Sequence, residues 1–144
     1  MKASLNVAYT QHSATQRLWE EYQKYKRLVI AFDFDNTIFD FHNSGLDVKD
    51  TIDLLKRCSE EDFIMVLFTS NEDEKCLQWM KKYCHHFGIK VDYINESPII
   101  MNTRKPYYNI LLDDRAGLQE AANTLNSVLN LIEINRDELN QSDK

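Results

Sequence analysis

The stretch "RLVIAFDFDNTIFDF", Arg27 to Phe41, decides how the rest of the chain is read. Its β-branched lead "LVIAF" has the composition of a strand buried on both faces, the pattern of a parallel sheet. The run then ends in Asp33 and Asp35, carboxylates that repel each other and lose solvation beside a core. Either the chain surfaces there into a polar turn, with Asn36 and Thr37 as turn residues, or positive charge belongs between the two aspartates.

Strand signals recur downstream and alternate with helical ones. "FIMVLF" (63–68), "IKVDYI" (89–94) and "YYNILL" (107–112) read as three further strands. Between them, "DVKDTIDLLKRC" places Val48, Ile52, Leu55 and Cys58 on one helical face, with Asp47 as N-cap. "EDEKCLQWMKKYCHHFG" turns Leu77, Met80, Cys84 and Phe87 inward and stops at Gly88, where a left-handed cap is favoured. A last helical pattern runs from Leu118 through Ala122, Leu125, Leu129 and Ile132, with a far end prone to fray. Upstream, Ser13 and Gln16 suggest a capping box opening a helix that carries Leu18, Trp19, Tyr22 and Tyr25. The first dozen residues show no period.

Strands alternating with helices imply βαβ units with right-handed crossovers. The expected fold is α/β: a three-layer α/β/α, Rossmann-like parallel sheet of about four to five strands. The 144 residues suit a single domain, 1–144, with 1–27 as an N-terminal helical extension.

Composition narrows the function classes. Hydrophobic residues at 43% and charged residues at 28% are ordinary for a globular protein. A formal net charge of −6, with only the short basic cluster "KYKRL" (24–28), disfavours duplex nucleic acid as partner. Cys58, Cys76 and Cys84 form no C-x-x-C pair, which points to a reducing compartment. "CHH" (84–86) cannot converge on one zinc, because neighbouring helical residues point apart. No apolar run reaches the ~20 residues of a membrane span, and "MKASLNVAYTQHSATQ" holds no signal-peptide core. A cytoplasmic protein is expected.

In parallel α/β sheets, ligands bind outside the carboxyl ends of the strands, so those ends carry the functional information. The first strand ends in Asp33 and Asp35, the second in Thr69, Ser70 and Asn71, and the fourth in Asp113 and Asp114, with Lys105 upstream of it. Carboxylates with one ammonium and a hydroxyl suit Mg²⁺ and a phosphate. Phosphoryl transfer needs a nucleophile, a proton donor for the leaving oxygen and positive charge on the transferred oxygens. A small hard cation held by a few carboxylate oxygens relieves the repulsion between an aspartate and a phosphate dianion.

"DFDNT", "VLFTSN", "RKPYY" and "ILLDDRAG", in that order, resemble the motifs of the haloacid dehalogenase-like (HAD) superfamily of phosphohydrolases, over about Leu28 to Leu129. The resemblance implies a Mg²⁺-dependent phosphomonoester hydrolase in which Asp33 becomes an aspartyl-phosphate and also binds the metal. Asp35 would be the general acid and base, with its backbone carbonyl on the ion. Thr69 would hold a phosphoryl oxygen, with Ser70 able to take that part and Asn71 beside them. Asp114 would bind the metal directly, with Asp113 behind it. Lys105 would balance charge at the phosphate, with Arg104 as substitute, although only a few residues part this lysine from the acidic strand where family members often have a helix.

The gaps between motifs hold only the flap-like "IFDFHNSGL" and single helices, so no cap domain is expected. An open site of that kind would take a nucleotide or a larger phosphoester, or be closed by a second copy of the chain in a homo-oligomer. Two non-hydrolytic readings compete: a receiver-like phosphate-binding domain, disfavoured by motif order, and a regulatory HAD-like domain without turnover.

Overall fold

The computed structural model describes residues 9–142. The irregular segment expected at the N-terminus lies largely outside them. The element order is α1 (Gln11–Tyr25), β1 (Val29–Asp33), α2 (Lys49–Glu60), β2 (Ile64–Phe68), α3 (Glu74–His86), β3 (Tyr93–Ile94), β4 (Ile110–Leu112) and α4 (Leu118–Ser142).

The strands form one sheet in the order β3-β2-β1-β4, all parallel. It is an α/β fold, a four-stranded parallel sheet flanked by helices, consistent with the three-layer Rossmann-like class. β1 lies at the centre, in register Val29↔Ile64 to Asp33↔Phe68 on one side and Ile30↔Ile110 to Phe32↔Leu112 on the other. That register brings the ends of β2, β1 and β4 to one edge of the sheet, where Thr69, Asp33 and Asp113 follow one another across it.

Ile30, Phe32, Met65, Leu67 and Leu112 are fully buried and join the core with Leu55 and Cys58 of α2, Cys84 of α3 and Leu125 and Val128 of α4. Val29, Ala31 and Val66, on the opposite pleat, are buried as well. Burial on both faces explains why these strands read as continuous apolar runs.

Several boundaries differ from the sequence reading, each for a local reason. α1 starts earlier than Ser13: Thr10 is the N-cap and accepts a bond from Ser13 N at 3.2 Å. The helix belongs to the domain, because Leu18 enters the core and Gln11 Nε2 donates to Thr124 Oγ1 of α4 at 2.6 Å. Asp47 is not the residue capping α2; Val48 stands there, while Asp47 Oδ1 accepts from Lys49 N at 2.9 Å. Phe87 is not inward. It is 37% exposed, its ring against Tyr83 and His86.

"IKVDYI" supplies only the short strand Tyr93–Ile94 because its first residues are used elsewhere. Gly88, at φ +77°, terminates α3: Gly88 N bonds His85 O and Ile89 N bonds Cys84 O, the paired closure that a left-handed residue permits. Lys90 N turns to Ser59 Oγ, and the Asp92 carboxylate takes Met65 N at 2.8 Å, a side chain standing in for a ladder carbonyl. "YYNILL" is trimmed similarly, since Asn109 Oδ1 accepts from Val29 N at 2.6 Å.

Candidate active site

Beyond β1 the chain makes a tight turn that sets the two aspartates apart. The Phe34 carbonyl accepts from the N–H groups of Thr37, Ile38 and Phe39, and Asn36 N donates to Phe39 O at 2.7 Å. Asn36 sits at φ +61°, a left-handed conformation that asparagine tolerates better than most residues. Phe34 and Ile38 bury their side chains, and Tyr83 from α3 donates its hydroxyl to Ile38 O at 2.6 Å. The turn is therefore held from within and from the neighbouring helix.

Its central polar residue is Thr37, which is 1% exposed. Its Oγ1 lies 3.1 Å from Asp33 Oδ2 and 3.5 Å from Asp114 Oδ1, and accepts from Asp114 N at 3.2 Å. A hydroxyl has one proton to give, and the shorter contact assigns it to Asp33. Thr37 thus ties the end of β1 to the end of β4. The sequence reading treated it only as a turn residue; the signal was a threonine four positions after Asp33, at a place that proved to be buried.

Carboxylate oxygens of Asp33, Asp113 and Asp114 all lie within 4.8 Å of one another. Asp33 and Asp113 are half-buried and Asp114 is exposed, so the triad opens to solvent. The convergence raises the pKa of Asp33 to about 7, through burial first and then through its contact with Asp114 and the charge of Asp113; Thr37 and the Phe34 backbone act in the opposite direction. Asp113 is as much a part of the cluster as Asp114, although the sequence reading placed it behind. Its Oδ1 accepts from Arg115 N at 2.9 Å, which aims the carboxylate.

Asp35 stands outside this triad. It is half-buried, its backbone bridged to Phe39, and its pKa is raised by burial and by the charge of Asp114, with the His42 imidazole opposing. The end of β2 is shaped by hydrogen bonds to the loop. Thr69 N donates to Asn95 Oδ1 at 2.8 Å and Thr69 Oγ1 accepts from Asn71 N at 3.2 Å, leaving the hydroxyl proton able to donate outward. Asn71 Oδ1 accepts from Asp73 N, which makes Asn71 a brace of this loop, and Ser70 is exposed. Asn95 was not anticipated; it closes β3 at φ +56°.

Lys105 and Arg104 lie exposed on the connection between β3 and β4. Among the described residues, no ion pair joins either to the aspartates. The expected charge-balancing lysine is thus a surface residue of a loop, whose base is held where Tyr107 N donates to Ser97 Oγ at 3.1 Å.

The donor set fits a small hard divalent cation. It is all carboxylate oxygen, it comes from two adjacent strand ends, and it leaves room for the waters that Mg²⁺ retains.

No family model matches the chain and no curated protein does. A solved structure of a conserved protein coded by a locus from Bacteroides thetaiotaomicron is similar, with a TM-score of 0.50 and 26% identity, covering 62% of this chain and 77% of that one.

Proposed function

We propose that the protein is a HAD-like, Mg²⁺-dependent phosphomonoester hydrolase with Asp33 as nucleophile and Asp35 as general acid and base. The observation that supports this reading is the separation of two aspartates within one short turn: Asp33 joins the carboxylate triad, while Asp35 stays out of it. Mg²⁺ bound there would offset most of the triad's negative charge and supply positive charge for the phosphate oxygens. Asp33, Asp113 and Asp114 would hold the ion, with the Asp35 backbone carbonyl near.

In the first step an Asp33 oxygen forms a bond to phosphorus as the bond from phosphorus to the ester oxygen breaks, and Asp35 gives its proton to that oxygen. In the second, a water oxygen bonds to phosphorus as the bond from phosphorus to the Asp33 oxygen breaks; the water's proton passes to Asp35 and inorganic phosphate leaves, which restores both carboxyls. Burial keeps the Asp35 proton available nearer neutrality than on a free aspartate. Thr69 would donate to a phosphoryl oxygen, and Lys105, exposed on its loop, would balance charge at the phosphate. A nucleotide or a larger phosphoester suits a site this open.

Phosphate release from a panel of phosphomonoesters, with and without Mg²⁺, tests the proposal. Mg²⁺-dependent turnover that vanishes in Asp33→Asn supports it. Undiminished turnover in that variant, or none with any ester, sinks it. A phospho-adduct on Asp33 that survives for minutes after acetyl phosphate treatment would favour the receiver-like alternative.

A further inference from the structure

Side chains answer backbone groups in series along the segment that leaves β2. Thr69 N donates to Asn95 Oδ1 at 2.8 Å, Asn71 N to Thr69 Oγ1 at 3.2 Å, Asp73 N to Asn71 Oδ1 at 2.9 Å and Cys76 N to Asp73 Oδ2 at 3.2 Å, where α3 begins. The last three bonds join residues two or three apart and set the local course of the chain. The first spans 26 positions and is the one in this series that comes from the neighbouring strand. Asn95 thus ties the segment to β3.

The parallel ladder explains why an asparagine stands there. β2 and β3 pair Val66↔Tyr93 and Leu67↔Ile94, and Asn95 N continues the pattern by donating to Leu67 O at 2.9 Å. A ladder that ran on would next bond Thr69 N to the Asn95 carbonyl. Asn95 lies at φ +56°, so its backbone leaves the extended course at that point, and its side-chain oxygen takes the Thr69 N–H instead. Asparagine meets both demands, since it tolerates the left-handed region and carries an amide oxygen on a short stem. Strand pairing stops at Thr69, yet the direction of Thr69 stays fixed.

We infer that Asn95 is a positioning residue for the phosphate subsite, holding the Thr69 backbone so that the Thr69 hydroxyl, which accepts from Asn71 N, gives its proton to a phosphoryl oxygen. The inference rests on the reading of Thr69 as a phosphate donor given above. Asn95 acts through Thr69: among the described residues, none of its hydrogen bonds goes to Asp33, Asp35, Asp113 or Asp114. Its effect is also separable from that of Arg104 and Lys105. Ser97 fastens the base of their loop by itself, with Oγ donating to Ile99 O at 2.7 Å and accepting from Tyr107 N at 3.1 Å. The Asn95 bond is exposed, so water can satisfy Thr69 N once the amide is gone, but a mobile water does not hold the direction of the chain.

Calorimetric titration of the full chain with inorganic phosphate at saturating Mg²⁺ tests the inference through a double-mutant cycle. Asn95→Gly keeps the left-handed backbone and removes the acceptor. Its affinity for phosphate should fall about two- to fivefold, the worth of one exposed neutral hydrogen bond. Thr69→Val removes the hydroxyl itself and should cost about tenfold or more, as for a bond to a charged oxygen. In the Thr69→Val background Asn95→Gly should cause no further loss, because the group it positions is absent. An equal loss in both backgrounds would mark a merely structural role and overturn the inference, as would unchanged affinity in Asn95→Gly or no phosphate binding by the native chain. Phosphate release from esters keeps this test apart from the hydrolase reading. The expected cycle without turnover would sink that reading and leave the assignment of Asn95 standing, whereas turnover with a phosphate affinity indifferent to Asn95→Gly would sink the assignment alone.

Discussion

The Thr37 hydroxyl donates to Asp33 Oδ2 at 3.1 Å from a position that is 1% exposed. Through the bond it accepts from Asp114 N, the same oxygen links the ends of two neighbouring strands. Thr37→Val keeps the shape and removes the hydroxyl, leaving Asp33 Oδ2 and Asp114 N short of a partner. Loss of a buried bond to a charged group is worth about 1.5–3 kcal/mol, so turnover should fall by about one to two orders of magnitude. Thr37→Ser should recover most of it, as steady-state kinetics on the three proteins would show.

Burial of Asp33, together with its contact with Asp114 and the charge of Asp113, sets a pH dependence for the metal-free protein. Asp33 titrates at about 7 when folded, against an ordinary value of 3.8, so the folded chain binds more protons across that window. Stability therefore falls as pH rises from 3.8 to about 7, and the favourable contribution is complete only below the unfolded value. Thermal melts in chelator across this range should show the decline. Asp33→Asn should flatten the slope and melt higher at pH 7.

Mg²⁺ should reverse that destabilisation near neutrality. At a hundredfold excess over Kd, one-site binding adds about 2.7 kcal/mol, visible as a rise in Tm. Because Asp113 converges with Asp33 and Asp114, Asp113→Asn should weaken Mg²⁺ about as much as Asp114→Asn. Calorimetric titration of both variants measures the difference. A negligible effect of Asp113→Asn would return that residue to the background role expected from sequence.

Tyr83 braces the turn between the aspartates from a different element, at 2.6 Å from Ile38 O. Tyr83→Phe keeps the ring against Phe34 and Phe39 and deletes only this bond. A loss of about 0.5–1.5 kcal/mol is expected, together with a lower kcat if the turn loosens. Urea unfolding separates the stability term from the catalytic one.

The thiols should divide by burial. Cys58 and Cys84 are pushed up to about 12 by burial, whereas Cys76 is half-exposed near the start of α3. Thiolates are the reactive form, so a thiol reagent at pH 8 should label Cys76 in the folded protein and all three cysteines in denaturant.

Much of this architecture was legible in the order of residues. Short apolar runs identified all four strands and period-3.6 patterns their helices, because burial on both sheet faces and on one helix face leaves a direct trace in hydrophobicity. Strand lengths were not legible. Whether Val29 N is met by a backbone carbonyl or by Asn109 Oδ1, and Met65 N by a carbonyl or by Asp92 Oδ2, depends on partners 80 and 27 residues away. The cap of α1 was misplaced for a related reason: Thr10 and Ser13 are both competent caps, and local sequence cannot rank them.

The sequence alone determined that Asp33, Asp35, Thr69, Asp113 and Asp114 stand at strand ends, since each follows an apolar run that must stop at the sheet's edge. Only the tertiary structure decided which of them meet. Parallel pairing of β1 with β4 brings Asp33 beside Asp113 and Asp114, and the turn held by Phe34 O carries Asp35 away from them. It also left Lys105 on a loop and gave Thr37, a plain turn residue in the sequence, the joint between the two strand ends. Spacing along the chain reports local geometry; convergence across the sheet arises from register, and register is set by the whole core.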